Sequence, residues 1–227
     1  MERYSLRDGP DSFDVSRVDA PRPGRVVLFA VGAGGNPERH APLLAELAAC
    51  GCTVVAPHFE RLVSPQPTDE QLLLRARRLA LALDATEHAG APVVGVGHSI
   101  GATVLLAMAG GALWPRPPTP LPIAKDARLS RLVLLAPPTG YFRAPHALDG
   151  VAATLQVWAG SHDVITPPAQ SAFLKDVLGA RVDLRVADGA GHFSFMHVLP
   201  PQVVDPHPDR AGFLARLTAE VRRFVQG

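Results

Sequence analysis

The sequence predicts an α/β architecture: a mostly parallel, doubly wound sheet with helices on both faces. Three observations lead there. Short apolar, β-branched runs recur along the chain, as strands buried on both faces require. Segments with helical apolar spacing lie between them. Strand and helix alternate, which is the pattern of parallel strands joined by helical crossovers.

The elements follow in order. The first two dozen residues are polar and turn-rich, with Gly9-Pro10 and Pro21-Arg22-Pro23-Gly24, and leave room for at most one or two short edge strands around Phe13–Val18. Arg25–Val31 is a continuous apolar run and reads as a buried strand. The turn Gly32-Ala33-Gly34-Gly35-Asn36-Pro37 follows, then a helix over Pro42–Cys50 and a strand over Thr53–Pro57. The unit then repeats. Asp69–His88 is a long amphipathic helix, Val93–Gly97 a strand and Ile100–Met108 a helix. Leu132–Ala136 and Thr154–Ala159 are strands. Pro167–Leu178 is a helix opened by prolines, Val182–Val186 a strand and Arg210–Val225 a closing helix. No linker divides the 227 residues, so one domain over 1–227 is expected.

Composition narrows the function. Hydrophobic residues make up 47% and charged residues 19%, which is globular rather than disordered. The 22 basic and 21 acidic residues nearly cancel, so no nucleic-acid partner is expected. Cys50 and Cys52 are too few for a disulfide framework, and Cys-x-Cys is not a redox or zinc spacing; both read as small buried hydrophobes. The start, Met1-Glu2-Arg3-Tyr4-Ser5, lacks a signal-peptide stretch. Val93–Trp114 is apolar enough to suggest a span, but Ser99, His98 and its glycines break it into a buried strand and helix. A cytoplasmic protein, monomeric or homodimeric and without a membrane partner, is the expectation.

Ligands bind parallel sheets at the carboxyl ends of the strands. After Val93–Val96 stands Gly97-His98-Ser99-Ile100-Gly101. This G-x-S-x-G between strand and helix is the pattern of a nucleophile elbow. A serine on so sharp a turn needs neighbours without side chains, and Gly97 and Gly101 provide them. An acid and then a histidine should follow. Gly160-Ser161-His162-Asp163 and Asp188-Gly189-Ala190-Gly191-His192 each come directly after a strand. Ser99, Asp163 and His192 therefore belong at one edge of the sheet. His192 would act as general base and Asp163 would orient it. Asp188 is the competing acid, four residues before His192 on the same loop. An oxyanion hole needs two backbone N–H donors. Ile100 follows the serine, and Ala33 sits on the loop after the first core strand, with Gly32 and Gly34 as neighbouring candidates.

These motifs identify a resemblance to the α/β-hydrolases over about Val26 to Val225. Val31-Gly32-Ala33-Gly34-Gly35, Gly97-His98-Ser99-Ile100-Gly101 and Gly191-His192-Phe193-Ser194-Phe195 resemble the dienelactone-hydrolase-like and chlorophyllase-like serine hydrolases. Those relatives often carry His-Gly where this chain has Val31-Gly32, and dienelactone hydrolases use cysteine where it has Ser99. The resemblance implies the α/β-hydrolase fold and a cap, where present, between Leu132–Ala136 and Thr154–Ala159. The connection Pro137–Ala153 is too short for a large cap domain and offers at most a small lid with Tyr141, Phe142 and His146.

Substrate-binding candidates are Gly34, His58, Phe59, Tyr141, Phe142 and Phe193. Rival readings fall short. Gly32-Ala33-Gly34 begins a dinucleotide fingerprint, but its last glycine is Pro37 and no acid ends the next strand. The histidines share no ligand spacing, so neither metal nor cofactor is expected. The sequence thus predicts a hydrolase of a small or medium carboxylic ester. A thioesterase, lactonase or acyltransferase would use the same trio, and a non-catalytic binding protein would share the fold.

Overall fold

The computed structural model describes residues 1–22, 24–64, 66–86, 90–116 and 118–227. Strands β1 (Glu2–Asp8) and β2 (Asp11–Val18) form an antiparallel hairpin closed at Gly9-Pro10. The expected edge strand around Phe13–Val18 is part of β2, and the hairpin runs longer than expected, to 7 and 8 residues. Tyr4 and Leu6 pair across the ladder with Val15 and Phe13, and the charged residues between them face outward. That alternation is the mark of a half-buried strand.

The remaining elements are β3 (Arg25–Ala30), α1 (Ala41–Ala49), β4 (Cys52–Pro57), α2 (Asp69–Asp84) and β5 (Val93–His98). They continue with α3 (Ile100–Met108), β6 (Leu129–Leu135), β7 (Thr154–Gly160), α4 (Pro168–Leu178), β8 (Val182–Ala187) and α5 (Arg210–Gln226). Helix α2 stops at Asp84, short of the predicted His88, which lies outside the described residues, as do Pro23 and Pro117 of the two proline-rich stretches. It starts on a capping box, with the Thr68 hydroxyl accepting from Gln71 N–H and the Gln71 side chain from Thr68 N–H.

The sheet runs β1-β2-β4-β3-β5-β6-β7-β8, parallel from β4 onward and antiparallel at β1-β2 and β2-β4. Its core strands alternate between two faces. Val26, Leu28 and Ala30 pack with Leu72 and Leu79 of α2, Leu105 of α3 and Leu174 of α4. Val27, Phe29 and Val31 pack with Leu44 and Leu47 of α1 and Phe213 and Leu217 of α5. The chain turns from β3 to β4 on one side and then to β5 on the other. The carboxyl ends of β3 and β5 therefore flank the switch point, where doubly wound sheets place their crevice.

Both cysteines are free thiols. Burial pushes the Cys52 thiol up to about 12, so it is inert at neutral pH. The half-buried Cys50 thiol donates to the Leu47 carbonyl at 3.1 Å. Among the described residues, no helix is long and apolar enough to cross a membrane.

The segment after β6 corrects another expectation. Phe142 is 1% exposed and stands against Gly111, beyond the far end of α3. Ala112 N–H donates to Ala147 O, and Trp114 N–H to Tyr141 O. His146 is exposed and paired with Asp149 at 2.8 Å. Phe142 is thus a core side chain, not a wall of the crevice, and Tyr141 is half-buried beside the stretch that follows α3. The apolar residues Phe142, Ala147, Leu148 and Val151 anchor the segment to the core, so it does not form a lid.

Candidate active site

Ser99 connects β5 to α3 with φ 53° and ψ −129°, a conformation that costs a non-glycine residue on the order of 1–3 kcal/mol. Close packing enforces it. A Cβ on Gly101 would stand 2.2 Å from the Ala30 carbonyl oxygen, and one on Gly97 would stand 2.8 Å from the Ala102 backbone. Ser99 N–H donates to Leu135 O at 2.9 Å, which fixes the turn to β6. The serine hydroxyl is left on the crevice side at the N-terminus of α3.

His192 Nε2 lies 2.9 Å from Ser99 Oγ, and His192 Nδ1 lies 2.9 Å from Asp163 Oδ2. A carboxylate only accepts, so Nδ1 carries the proton and Nε2 is free to accept from the serine. The sequence-predicted trio is therefore brought together in the predicted order. Asp163 is buried. Burial alone would raise its pKa, but hydrogen bonding and electrostatic attraction from His192, with hydrogen bonds from Thr166, hold it below the usual value. Its Oδ1 accepts from the N–H groups of Ile165 and Thr166, each at 2.8 Å. Asp188 stands apart: it accepts from Ser161 Oγ at 3.2 Å and lines a cavity of about 420 Å³ with Trp158, His207 and Phe213 on the α5 side.

Three supports escaped the sequence reading. The Thr166 hydroxyl lies 2.7 Å from Asp163 Oδ2, 3.2 Å from Ala136 O and 3.0 Å from His192 Nδ1. It carries one proton, which goes to the carboxylate at the shortest distance, and its oxygen shares the proton on Nδ1. The loop after His192 is tied down by Ser194, whose buried hydroxyl donates to Asp205 at 2.6 Å and accepts from Gly191 N–H at 2.8 Å. Asp205 in turn accepts from Arg210 at 2.8 Å. Behind the trio, the His98 and His40 rings follow His192 at centroid distances of 5.1 and 5.4 Å. His98 Nε2 donates to the His192 carbonyl at 3.0 Å. Burial and the nearby His192 push the His98 pKa down to about 3, so its ring is neutral. His40 is likewise driven well below its ordinary value by burial and by His98.

The loop after β3 approaches Ser99 closely. A Cβ on Gly32 would stand 3.3 Å from Ser99 Cβ. Ala33 and Gly34 are exposed, and no atom lies within 4 Å of where a Gly34 side chain would begin. Gly35 has φ +74°, and its missing Cβ makes room for the Phe59 carbonyl. Among the described residues, the N–H groups of Ala33 and Ile100 donate to no protein acceptor. Phe193 sits edge-on to His192 at 5.2 Å, whereas Phe195 is core, packed on Phe213. Phe59 is half-buried under the guanidinium of Arg75. His58 turns to the N-terminal hairpin, with Nε2 2.8 Å from Ser16 Oγ, so it serves β2 rather than the crevice wall. Among the described residues, no group of His, Cys, Asp or Glu is arranged to hold a metal ion.

Solved structures of the same architecture exist. A serine hydrolase homologue from Coxiella burnetii superposes with a TM-score of 0.70 at 18% identity, over 98% of this chain and 96% of that one. A Pyrococcus furiosus esterase gives 0.69 at 14% identity, over 99% and 91%. A CIB-like hydrolase from Thermoplasma acidophilum gives 0.68 at 13% identity, over 98% of each chain. The chain has the α/β-hydrolase fold. No family model and no curated protein matches the sequence. Among the described residues, the fold carries no large cap domain.

Proposed function

We propose that the protein is a serine hydrolase that cleaves a small or medium carboxylic ester through an acyl-enzyme on Ser99. The observation that carries this reading is the continuous chain Ser99 Oγ, His192 Nε2, His192 Nδ1, Asp163 Oδ2, with both contacts at 2.9 Å and the serine on a strained turn. Ser99 Oγ attacks the ester carbonyl while its proton passes to His192 Nε2. Asp163 holds the tautomer and stabilises the imidazolium. The oxyanion accepts hydrogen bonds from the free N–H groups of Ala33 and Ile100. His192 then returns the proton to the leaving alcohol as the C–O bond breaks. Water, deprotonated by His192, releases the acid and restores Ser99.

The substrate follows from the surroundings. Among the described residues no large cap domain covers the sheet edge that carries Ser99, and the Phe193 ring stands edge-on beside His192. An ester with a modest apolar group suits such walls. Neighbours of the same fold whose names call them esterases support the same class.

The test is intact-mass analysis and peptide mapping after treatment with a fluorophosphonate, with Ser99→Ala alongside. A single adduct on Ser99, absent in the variant, is expected. An unlabelled Ser99 overturns the reading.

A further inference from the structure

We propose that Arg75 is a positioning residue for the oxyanion hole: its buried guanidinium aims the Val31–Ala33 backbone so that the Ala33 N–H faces the oxyanion. The inference rests on the serine hydrolase reading of Ser99 and adds a residue that touches neither substrate nor the trio.

Arg75 lies in the middle of α2 and is only 2% exposed. An arginine so buried normally faces a carboxylate. Among the described residues, no acid pairs with it. Its Nη1 instead donates to the carbonyls of Val31 and Gly32, each at 3.2 Å, and its Nη2 to the carbonyl of Glu60 at 3.3 Å. Its plane covers the Phe59 ring, with the guanidinium carbon 4.6 Å from the centroid. One fork thus joins the loop after β3 to the loop after β4. Burial lowers its pKa to about 10, which still leaves it charged at neutral pH.

The direction of the peptide groups gives this contact its meaning. In a trans peptide, C=O and the next N–H point to opposite sides. A Gly32 carbonyl held by Arg75 turns the Ala33 N–H away from α2. Gly32 itself lies against Ser99, as its missing Cβ would stand 3.3 Å from Ser99 Cβ. Two further bonds brace the same loop: Leu62 N–H donates to Ala33 O at 2.8 Å, and Gly35 N–H to Gly32 O at 3.2 Å. Hydrogen bonds in series polarise one another, so a cation on the carbonyl side strengthens the donor on the other side. The charge of Arg75 is relayed to the oxyanion through peptide dipoles, without direct contact.

The test compares wild type, Arg75→Met, Arg75→Lys and the control Arg77→Met. The control removes a half-exposed cation of the same helix that pairs with the buried Asp8 carboxylate, which Arg78 also holds. Ester hydrolysis, fluorophosphonate labelling of Ser99 and the inhibition constant of a trifluoromethyl ketone, which forms a tetrahedral oxyanion on the serine, are read for each. Arg75→Met is expected to lower kcat on the order of ten- to a hundred-fold, somewhat less than loss of a whole oxyanion donor. The ketone should weaken in proportion, while KM stays near wild type. Arg75→Lys, which keeps the cation, should recover part of both, and Arg77→Met should retain full kcat. Equal losses in kcat and ketone affinity are not what general loosening produces. Wild-type labelling with undiminished kcat in Arg75→Met overturns the role of Arg75 alone. Absence of labelling in wild type overturns the hydrolase reading and this role with it. Should Arg75→Met fail to fold, Arg75→Gln, which loses the cation and the reach of the fork, decides: unchanged kcat and ketone affinity in it overturn the proposal.

Discussion

Thr166 donates its hydroxyl proton to Asp163 Oδ2, the same carboxylate oxygen that accepts from His192 Nδ1, at 2.7 Å. The acid of the trio is therefore held from three sides, by two backbone N–H groups and this hydroxyl. Thr166→Val keeps the shape and removes the proton. It is expected to lower kcat about ten-fold, the worth of one charge-assisted hydrogen bond of ~1.5 kcal/mol. Thr166→Ser should restore most of it. Steady-state ester hydrolysis with both variants decides this, and a Thr166→Val enzyme as fast as wild type would sink it.

The two candidate acids separate cleanly. Asp163→Asn preserves volume but loses the carboxylate that sets the His192 tautomer, so kcat should fall by about 10⁴. Asp188→Asn touches only Ser161 and the α5 cavity, and should change kcat by no more than about two-fold, as surface substitutions do. The comparison fails if Asp188→Asn is the inactive one.

What the sequence made legible had a strong local signature. Val26 to Val31 and Leu132 to Leu135 are apolar throughout because both faces are buried, and their shortness and flanking turns mark them as strands. Ser99, Asp163 and His192 each follow a strand in the same sheet, so one edge collects them whatever the loop details. The supporting residues carried no such sign. Arg75 reads as one more charge on an amphipathic helix. Only its spacing from Leu72 and Leu79, on the buried stripe, marks it as internal. Thr166 sits before two prolines in what looks like an ordinary helix start. Of the N-terminal hairpin only the strand around Phe13–Val18 was legible, because the inward residues Tyr4 and Leu6 of its partner are diluted by outward charge. Phe142 was misplaced because a loop aromatic gives no hint of which surface it faces.

Gly101 faces the tightest contact of the elbow. Its absent Cβ would stand 2.2 Å from the Ala30 carbonyl oxygen, which belongs to a core strand and cannot give way. Gly101→Ala is expected to cost about 2–3 kcal/mol through overpacking. For a chain of this length that is a fall in Tm of roughly 5–10 °C. Thermal unfolding measures it. Because α3 must also shift, labelling of Ser99 by a fluorophosphonate should slow. A variant with wild-type Tm would mean that the elbow has slack which the packing denies.

His98 and His40 make stability depend on pH. Both are buried and neutral, and His98 is held near 3 against an ordinary 6.5 by burial and by His192. Between these values the unfolded chain binds a proton that the folded chain refuses. Folding is then fully favoured above about pH 6.5 and loses ground as pH falls toward 3. Each such histidine contributes about 1.4 kcal/mol per pH unit across the window, so His98 alone removes roughly 2 kcal/mol between pH 6.5 and pH 5. Tyr141 and Cys52, whose burial raises their values, stay protonated throughout and add nothing here. Urea unfolding at a series of pH values should show the decline in wild type. His98→Gln retains a donor for the His192 carbonyl but cannot titrate, so its slope should be shallower by about one proton. An unchanged slope would mean that the His98 ring takes up its proton in the folded protein as readily as in the unfolded one.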